Sequence, residues 1–374
     1  KENKKYKIIV VLSAMAGVTN QLQKYLDNVN SDPSPESDLV LTSGEQVTIG
    51  LMSILLNKQG IKSIPLLGWQ VPIVTDGHYE KSKILNIDSN SINERFKEYD
   101  VIVLAGFQGI NTNGFITSLG RGGSDTTAVA IASAVKAERC DIYTDVEGVF
   151  TTDPNVVHTA KKIKKVSYEE MLEMSSMGAK VLHTRSVELA MKNKLTLRVL
   201  SSITKNEGTY IVDEKNLIEK EFVSGVSYSK NESKITISGI PDKPGISAII
   251  FGLMSKNNIN VDMIVQNISQ DGVFANITFT VSDKDQISAK SIIEKNIKDV
   301  GYKSIKADNK VAKISVIGMG MMSQSGVAEK MFKTLAKNSI NILAISTSEI
   351  KISVLIHAKY TNLAVKSLHE VYNL

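Results

Sequence analysis

Leu119-Gly-Arg-Gly-Gly-Ser-Asp-Thr-Thr-Ala128 runs without a break into the apolar, helix-forming Val129-Ala-Ile-Ala-Ser-Ala-Val135. Glycines let a backbone approach an anion closely, Ser and Thr cap a first turn, and a helix start presents unpaired N–H groups of positive partial charge. The stretch therefore predicts a phosphate cradle at a helix N-terminus. Its ending lacks the Gly-Lys-Ser/Thr of the Walker loop, which excludes a P-loop NTPase reading. Taken alone it is equally a Gly-rich turn that caps a helix. Arg121 tips the reading toward function, because a guanidinium among glycines offers a bidentate grip on a carboxylate or phosphate.

Around the cradle, short apolar runs alternate with longer helix-like segments, the rhythm of an α/β domain whose crossover helices cover a mostly parallel sheet. Strands are expected at Lys7–Leu12, Ser63–Leu67, Val101–Ala105, Asp141–Thr144 and Leu195–Leu200. Ser13-Ala-Met-Ala-Gly17 follows the first, Gly106-Phe-Gln-Gly109 the third and Asp145-Val-Glu-Gly148 the fourth. Open α/β sheets bind ligands at the carboxyl ends of their strands, so the site is expected there.

Leu41-Thr-Ser-Gly-Glu-Gln46 opens a helix expected over Val47–Asn57, with Ser43 as its cap and Glu45 in its first turn. Glu45 either complements the helix dipole, worth about 0.3–1 kcal/mol, or holds a substrate ammonium while Arg121 holds a carboxylate. The second possibility describes an amino-acid site. In Asp141-Ile-Tyr-Thr-Asp-Val-Glu-Gly-Val-Phe-Thr-Thr-Asp-Pro154, Asp145 and Asp153 are turn formers beside Gly and Pro, or contacts for a ribose and metal-bound phosphates. Lys180 is a surface charge or a stabiliser of a transferring group.

The 374 residues are enough for two or three domains, and 42% hydrophobic with 22% charged residues is a globular balance. The net charge of +5 is spread along the chain without interleaved aromatics, which argues against nucleic acid as a partner. Cys140 is the sole cysteine, and the five histidines (His78, His158, His183, His357, His369) are scattered, so neither a disulfide nor structural zinc is expected. No apolar stretch is expected to reach the roughly 20 residues of a membrane span, and Lys1–Lys7 is too polar for a secretory signal. A cytoplasmic protein is expected.

Beyond Leu217 a polar stretch runs to Ser233, and two similar halves follow. Gly245, Met254, Lys256, Ile259 and Asn260 recur at one common offset as Gly326, Leu335, Lys337, Ile340 and Asn341. Each half reads as the βαββ opening of a ferredoxin-like module. The expected organisation is a catalytic domain over 1–215, a linker over 216–233, and modules over 234–308 and 309–374.

The motifs Val11-Leu-Ser-Ala-Met-Ala-Gly-Val-Thr-Asn20, Ser43-Gly-Glu45, Gly106-Phe-Gln-Gly109, the Arg121 cradle, Tyr143-Thr-Asp145, Val181-Leu-His183, Arg185-Ser-Val-Glu188 and Ser346-Thr-Ser-Glu-Ile350 occur in order. Together they resemble the aspartate kinases of the amino-acid kinase family, followed by paired ACT domains. The resemblance covers nearly the whole chain. It implies a three-layer sandwich with a mostly parallel sheet, and ATP-dependent phosphorylation of the L-aspartate β-carboxylate to 4-phospho-L-aspartate. That step opens the routes to lysine, diaminopimelate, threonine and methionine, and ATP is used with Mg²⁺.

Carried over residue by residue, the resemblance implies substrate contacts at Thr19, Glu45, Arg121, Gly122, Gly123 and Ser124. It implies nucleotide contacts at Ser13, Ser124, Thr144, Asp145, Phe150, Asp153 and Lys180. Asn155 stands where an arginine commonly follows Asp-Pro in the family. An effector, lysine and/or threonine, is implied at Asp242, Gly245, Ile246, Ser247, Ala248, Asn260, Val261, Asp262 and Gln266, with Val327, Asn341, Ile342 and Ser348 in the second module. A homo-oligomer joined through the ACT domains is implied, as is a strand ending Lys-Phe-Gly-Gly-Thr-Ser ahead of Lys1, after which the given chain is expected to begin. The competing readings are an amino-acid kinase for another carboxylate and a catalytically silent ACT-based sensor. The tandem ACT units and Ser43-Gly-Glu45 argue against the former.

Overall fold

The structure, a computed structural model, describes residues 6–29, 32–176, 181–217, 222–269, 272–322 and 326–374. Lys180 lies outside the described residues. The chain folds as two units: the first ends at Leu217 and omits Phe150–Ile163, which belongs to the second with Ile218–Leu374.

The first unit begins with β1 (Ile8–Leu12), α1 (Val18–Asn28), α2 (Pro35–Leu41), α3 (Ser43–Lys58), β2 (Ser63–Leu66), β3 (Ile73–Thr75), β4 (Ile84–Ile87) and α4 (Ser89–Arg95). It continues with β5 (Val101–Ala105), β6 (Gln108–Asn111), β7 (Ile116–Ser118), α5 (Gly123–Ala134), β8 (Cys140–Thr144), β9 (Lys165–Ser167), α6 (Tyr168–Ser176), α7 (Thr184–Asn193), β10 (Leu197–Ser201) and β11 (Thr209–Val212). β5 is buried at every position, as expected of an aliphatic strand covered on both faces. Its alternating side chains divide between two cores. Val101, Val103 and Ala105 meet Ile49, Met52 and Leu56 of α3, whereas Ile102 and Leu104 share a cluster with Ile131 of α5. This is the expected helix–sheet–helix sandwich. Each fully buried aliphatic side chain contributes roughly 1.5–3 kcal/mol.

The strands form a parallel β1-β5-β2 sheet, a β8-β10-β11-β9 sheet and a mixed β4-β3-β6-β7 sheet. Among the described residues β1 pairs only with β5, and β8 only with β10. A cavity of about 730 Å³ is lined by both, together with the inner face of α5.

Pro35–Lys58 corrects the expectation that no stretch is long and apolar enough for a membrane span, since its mean hydropathy reaches 1.5. It is nevertheless two helices separated at Thr42, with Asp38 and Glu45 buried. A second correction concerns the start of α3. The helix begins at Ser43, and Ser43 Oγ donates to the Val40 carbonyl at 2.8 Å instead of capping it.

The second unit holds β12 (Gly225–Pro241), α8 (Ile246–Lys256), β13 (Val261–Ile268), β14 (Phe274–Val281), α9 (Gln286–Lys295), α10 (Ile297–Val300) and β15 (Ser304–Ile317). After these come α11 (Val327–Lys337), β16 (Ile342–Thr347), β17 (Lys351–His357) and α12 (Thr361–Val371). One antiparallel sheet runs β13-β14-β12-β15-β17-β16. Two apolar cores form on it, one around Ile235, Ile250, Phe279 and Ile293, the other around Ile314, Met331, Val354 and Leu368.

The two repeats are interlocked. Gly225–Ser229 pairs with Lys313–Ile317 in the second lobe, while Ser233–Pro241 pairs with β14 in the first. The expected 216–233 linker is corrected accordingly, because its second half, from Gly225 on, lies in β12 and pairs with the second repeat. Phe150–Ile163 corrects the 1–215 boundary as well. Val157 is buried in the second lobe's core, Thr151 Oγ1 lies 2.9 Å from His369 Nε2, and Val226 N–H donates to the Thr151 carbonyl at 2.8 Å.

Candidate functional site

In the first unit the chain leaves β1 through Ser13–Gly17 and enters α1 from Gly17, whose φ of 82° is natural only to glycine. Thr19 lies in the first turn of α1, half-buried. The N-terminus of α3 presses on this loop: a Cβ on Gly44 would come within 2.7 Å of the Ala14 Cβ. Ala14 N–H donates to Glu45 Oε1 at 2.9 Å. Glu45 Oε2 is buried with no hydrogen-bond partner among the described residues. Burial raises the Glu45 pKa above its ordinary value, against the opposing pull of the Ala14 N–H.

The cradle is set by β5. Gly106 packs so tightly on α5 that an added Cβ would sit 2.7 Å from Ser124 Oγ and 3.0 Å from Ser124 Cα. Phe107 takes a φ of 67° and is tied to both ends of the cradle, donating to Thr127 Oγ1 at 3.1 Å and accepting from Leu119 N–H at 2.9 Å. Gly120 and Gly122 have φ of 73° and 69°, and α5 starts after Gly122 without a side-chain cap. The first turn of α5 therefore keeps its anion-binding character. Arg121 is exposed and makes no hydrogen bond among the described residues.

Ser13, Ser124, Asp125 and Tyr143 line the cavity between β1 and β8. Thr144 Oγ1 donates to Asp145 Oδ1 at 3.0 Å just beyond it. Asp125 was missed by the sequence reading although it lies within the decisive stretch. Burial raises its pKa, and no hydrogen bond relieves it among the described residues. The structure thus brings Ser13 and Ser124 onto one cavity wall, with Gly122 and Gly123 preceding Ser124 in the chain and Thr144 and Asp145 following Tyr143, and sets Glu45 and Thr19 around the Ser13–Gly17 loop. It does not place Arg121, Glu45 or Thr19 on the cavity wall.

Phe150 and Asp153 belong to the second unit. There the Asp153 carboxylate is taken up as a turn former: Asn155 N–H and Nδ2 donate to Oδ1 at 2.9 and 3.0 Å, and Tyr228 OH donates to Oδ2 at 2.9 Å. Asn155, the family departure, thus has a local role.

Among the effector candidates, α8 starts after Gly245 (φ 98°) with no side-chain cap and nothing within 4 Å of where a Cβ would be. Ser247 Oγ donates to Gln266 Oε1 at 3.3 Å. Asp242, Ala248, Asn260 and Gln266 are exposed, and Ile246 and Val261 are half-buried against the first lobe's core. Asp262 is engaged in an ion pair with the buried Lys313, a residue the sequence reading missed. The side chains of Val327 and Ile342 pack in the second lobe's core. Asn341 and Ser348 are exposed.

Residues 1–201 match the amino acid kinase family, and residues 235–297 and 314–372 match the ACT domain. The chain is 48% identical to the aspartate kinase of Pseudomonas putida KT2440, over 98% of this chain and 90% of that protein. It is 45% identical to the aspartokinase of Helicobacter pylori J99, over 99% of this chain and 92% of that one. Among solved structures it shares the fold of Escherichia coli aspartokinase III in complex with aspartate and ADP, with a TM-score of 0.79 at 24% identity over 97% and 92% of the two chains. A kinase sandwich with a glycine cradle, joined to interlocked ACT lobes, is the architecture of an amino acid kinase under regulatory control. The chain belongs to the aspartokinases of that family, enzymes that use ATP.

Proposed function

We propose that this enzyme moves the γ-phosphoryl group of ATP onto the β-carboxylate of L-aspartate, and that lysine and/or threonine restrains it at the ACT lobes. The observation that carries the reading is the pairing of an exposed Arg121, without a partner among the described residues, with an α5 start directly beside it that has no side-chain cap among them. Arg121 holds a substrate carboxylate. Glu45 holds the ammonium through Oε2, because Oε1 is committed to Ala14. Amides of Gly122 and Ser124 receive the transferring group, Gly123 N–H being spent on the Gly120 carbonyl at 2.9 Å, Thr19 completes the substrate side, and Ser13, Thr144 and Asp145 stand on the nucleotide side. Roles for Phe150, Asp153 and Lys180 rest on the family resemblance alone.

The carboxylate is already a nucleophile, so the reaction needs no general base on the protein. Catalysis comes from alignment and from fixed dipoles facing the spreading charge. Among the described residues there is no cluster of three potential metal ligands. Mg²⁺ would be carried mainly by phosphate oxygens, and Asp125 in the first turn of α5 would be a carboxylate able to hold it. When bound, the ion neutralises phosphate charge. Edge strands β13 and β16 expose Ile264, Ile268 and Ile345, which supports a homo-oligomer joined through these lobes. A cytoplasmic location belongs to the same reading.

A hydroxamate-coupled assay of the complete protein with aspartate, ATP and Mg²⁺ tests the reading. Arg121→Ala is expected to lower kcat/KM for aspartate severely with the fold intact, and near-normal kinetics would refute its role.

A further inference from the structure

The turn that carries Arg121 is gripped from two sides by charged groups that no role above employs. On one side stands Asp38 of α2, with no exposed surface. Its carboxylate accepts Ser118 N–H at 2.7 Å, Ser118 Oγ–H at 2.6 Å, and Glu80 N–H at 3.0 and 3.2 Å from its two oxygens. On the other side stands Arg185 at the start of α7. Its guanidinium donates to the Leu119 carbonyl and to the Ser82 carbonyl, each at 2.9 Å. Ser82 N–H closes the ring by donating to the Ser118 carbonyl at 2.9 Å. Two backbone segments, 80–82 and 118–119, are thereby locked together immediately before Gly120.

The glycines that flank Arg121 are pinned in turn. A Cβ on Gly120 would meet the Glu80 carbonyl at 2.7 Å, and one on Gly122 would meet the His183 Cβ at 2.5 Å. Arg121 therefore sits between two anchored residues while its own side chain makes no hydrogen bond among the described residues. The backbone thus fixes the point from which its side chain leaves the turn. Burying a carboxylate and half-burying a guanidinium is an expensive way to gain stability, because desolvation offsets most of the attraction and apolar groups would serve a fold better. Committing both groups to the backbone that anchors one turn makes sense where that turn must not move, since a misplacement of about 1 Å costs on the order of 10²-fold in rate.

We propose that Asp38 and Arg185 are positioning residues for the Arg121 turn, holding the guanidinium where the substrate carboxylate arrives. The inference rests on the proposed role of Arg121. Steady-state kinetics on the complete protein, with aspartate and ATP varied separately, test it with Asp38→Asn, Arg185→Gln, Arg185→Lys and Arg121→Ala. Asp38→Asn and Arg185→Gln are expected to raise the aspartate KM at least tenfold and leave the ATP KM within twofold. Arg185→Lys should recover part of the loss, because an ammonium replaces one of the two bonds.

Combining Arg121→Ala with Asp38→Asn or with Arg185→Gln should give an aspartate kcat/KM within twofold of Arg121→Ala alone, the mark of residues that act through a third. Equal losses for aspartate and ATP, or fully additive losses in the combined variants, would mean a general structural role and overturn the proposal. If Arg121→Ala itself leaves the aspartate KM unchanged, the substrate reading falls and this inference with it. Should Asp38→Asn not fold, the Arg185 pair decides by the same criteria.

Discussion

Lys313 Nζ lies 3.3 Å from Glu232 Oε1, both side chains are buried, and the two residues are separated by the spacing that separates Gly245 from Gly326. Equivalent positions of the repeat thus carry opposite charges and meet where β12 and β15 pass from one lobe to the other. Asp262 joins from β13. Two like charges at these positions would repel, so the pair fits one lobe against its unlike neighbour.

Removing one partner strands the other charge away from water. Lys313→Met is expected to destabilise the second unit by about 3–5 kcal/mol, whereas adding Glu232→Gln should restore most of that loss. Urea unfolding followed by tryptophan-independent circular dichroism measures both. A single variant as stable as the parent would show that the pair contributes nothing.

Glu45 supplies a prediction with a sign. Burial raises its pKa in the folded state, so the native protein keeps a proton that the unfolded chain has released. This contribution to stability is fully present below the ordinary glutamate pKa and is lost as pH rises through the folded value. Glu45→Gln should flatten the decline of thermal stability as pH rises above the ordinary glutamate value of about 4.5 by the share Glu45 provides, leaving the same-sign shares of Asp38, Asp125 and Glu232. A steeper decline in the variant would contradict the burial argument.

Much of this was legible before the fold. Val101–Ala105 is a short, β-branched aliphatic run bounded by Asp100 and Gly106, and its length and composition mark a strand buried on both faces. The positions of Gly245 and Gly326 announced the repeat. What stayed hidden depends on distant pairing. Ser43-Gly44 looks like a helix boundary because both residues are poor helix formers, yet contact with Ala14 draws them into α3. Phe150–Ile163 follows β8 in sequence and gives no local sign that Val157 will be buried in the other unit. Lys313 reads as one lysine among many until Glu232 and Asp262 are brought beside it.

Gly106 and Gly50 separate a packed glycine from a spare one. A methyl group on Gly106 would push against the Ser124 backbone, whereas one on Gly50, inside α3, meets nothing within 4 Å. Gly106→Ala is expected to displace the α5 start and cut kcat/KM at least tenfold. Gly50→Ala should stabilise the first unit by about 0.5–1 kcal/mol with unchanged kinetics, as Ala replaces Gly in a helix interior. Parallel melting curves and assays of the two variants check the contrast, and similar behaviour of both would undo it.

The start of α8 offers the last test. Gln266 Oε1 is occupied by the Ser247 hydroxyl, which turns the amide so that Nε2 is left as a donor near an uncapped helix start. A free amino acid presents a carboxylate that such donors suit. Gln266→Ala is therefore expected to weaken inhibition by lysine or threonine about tenfold or more, while kinetics without effector stay within twofold of the parent. The coupling must also be reciprocal: an effector that lowers aspartate affinity binds less tightly when aspartate is present. Calorimetric titration of each amino acid, with and without saturating aspartate, measures that coupling directly. Unaltered inhibition in Gln266→Ala, or no heat with either amino acid in the parent, would remove the effector from this helix start.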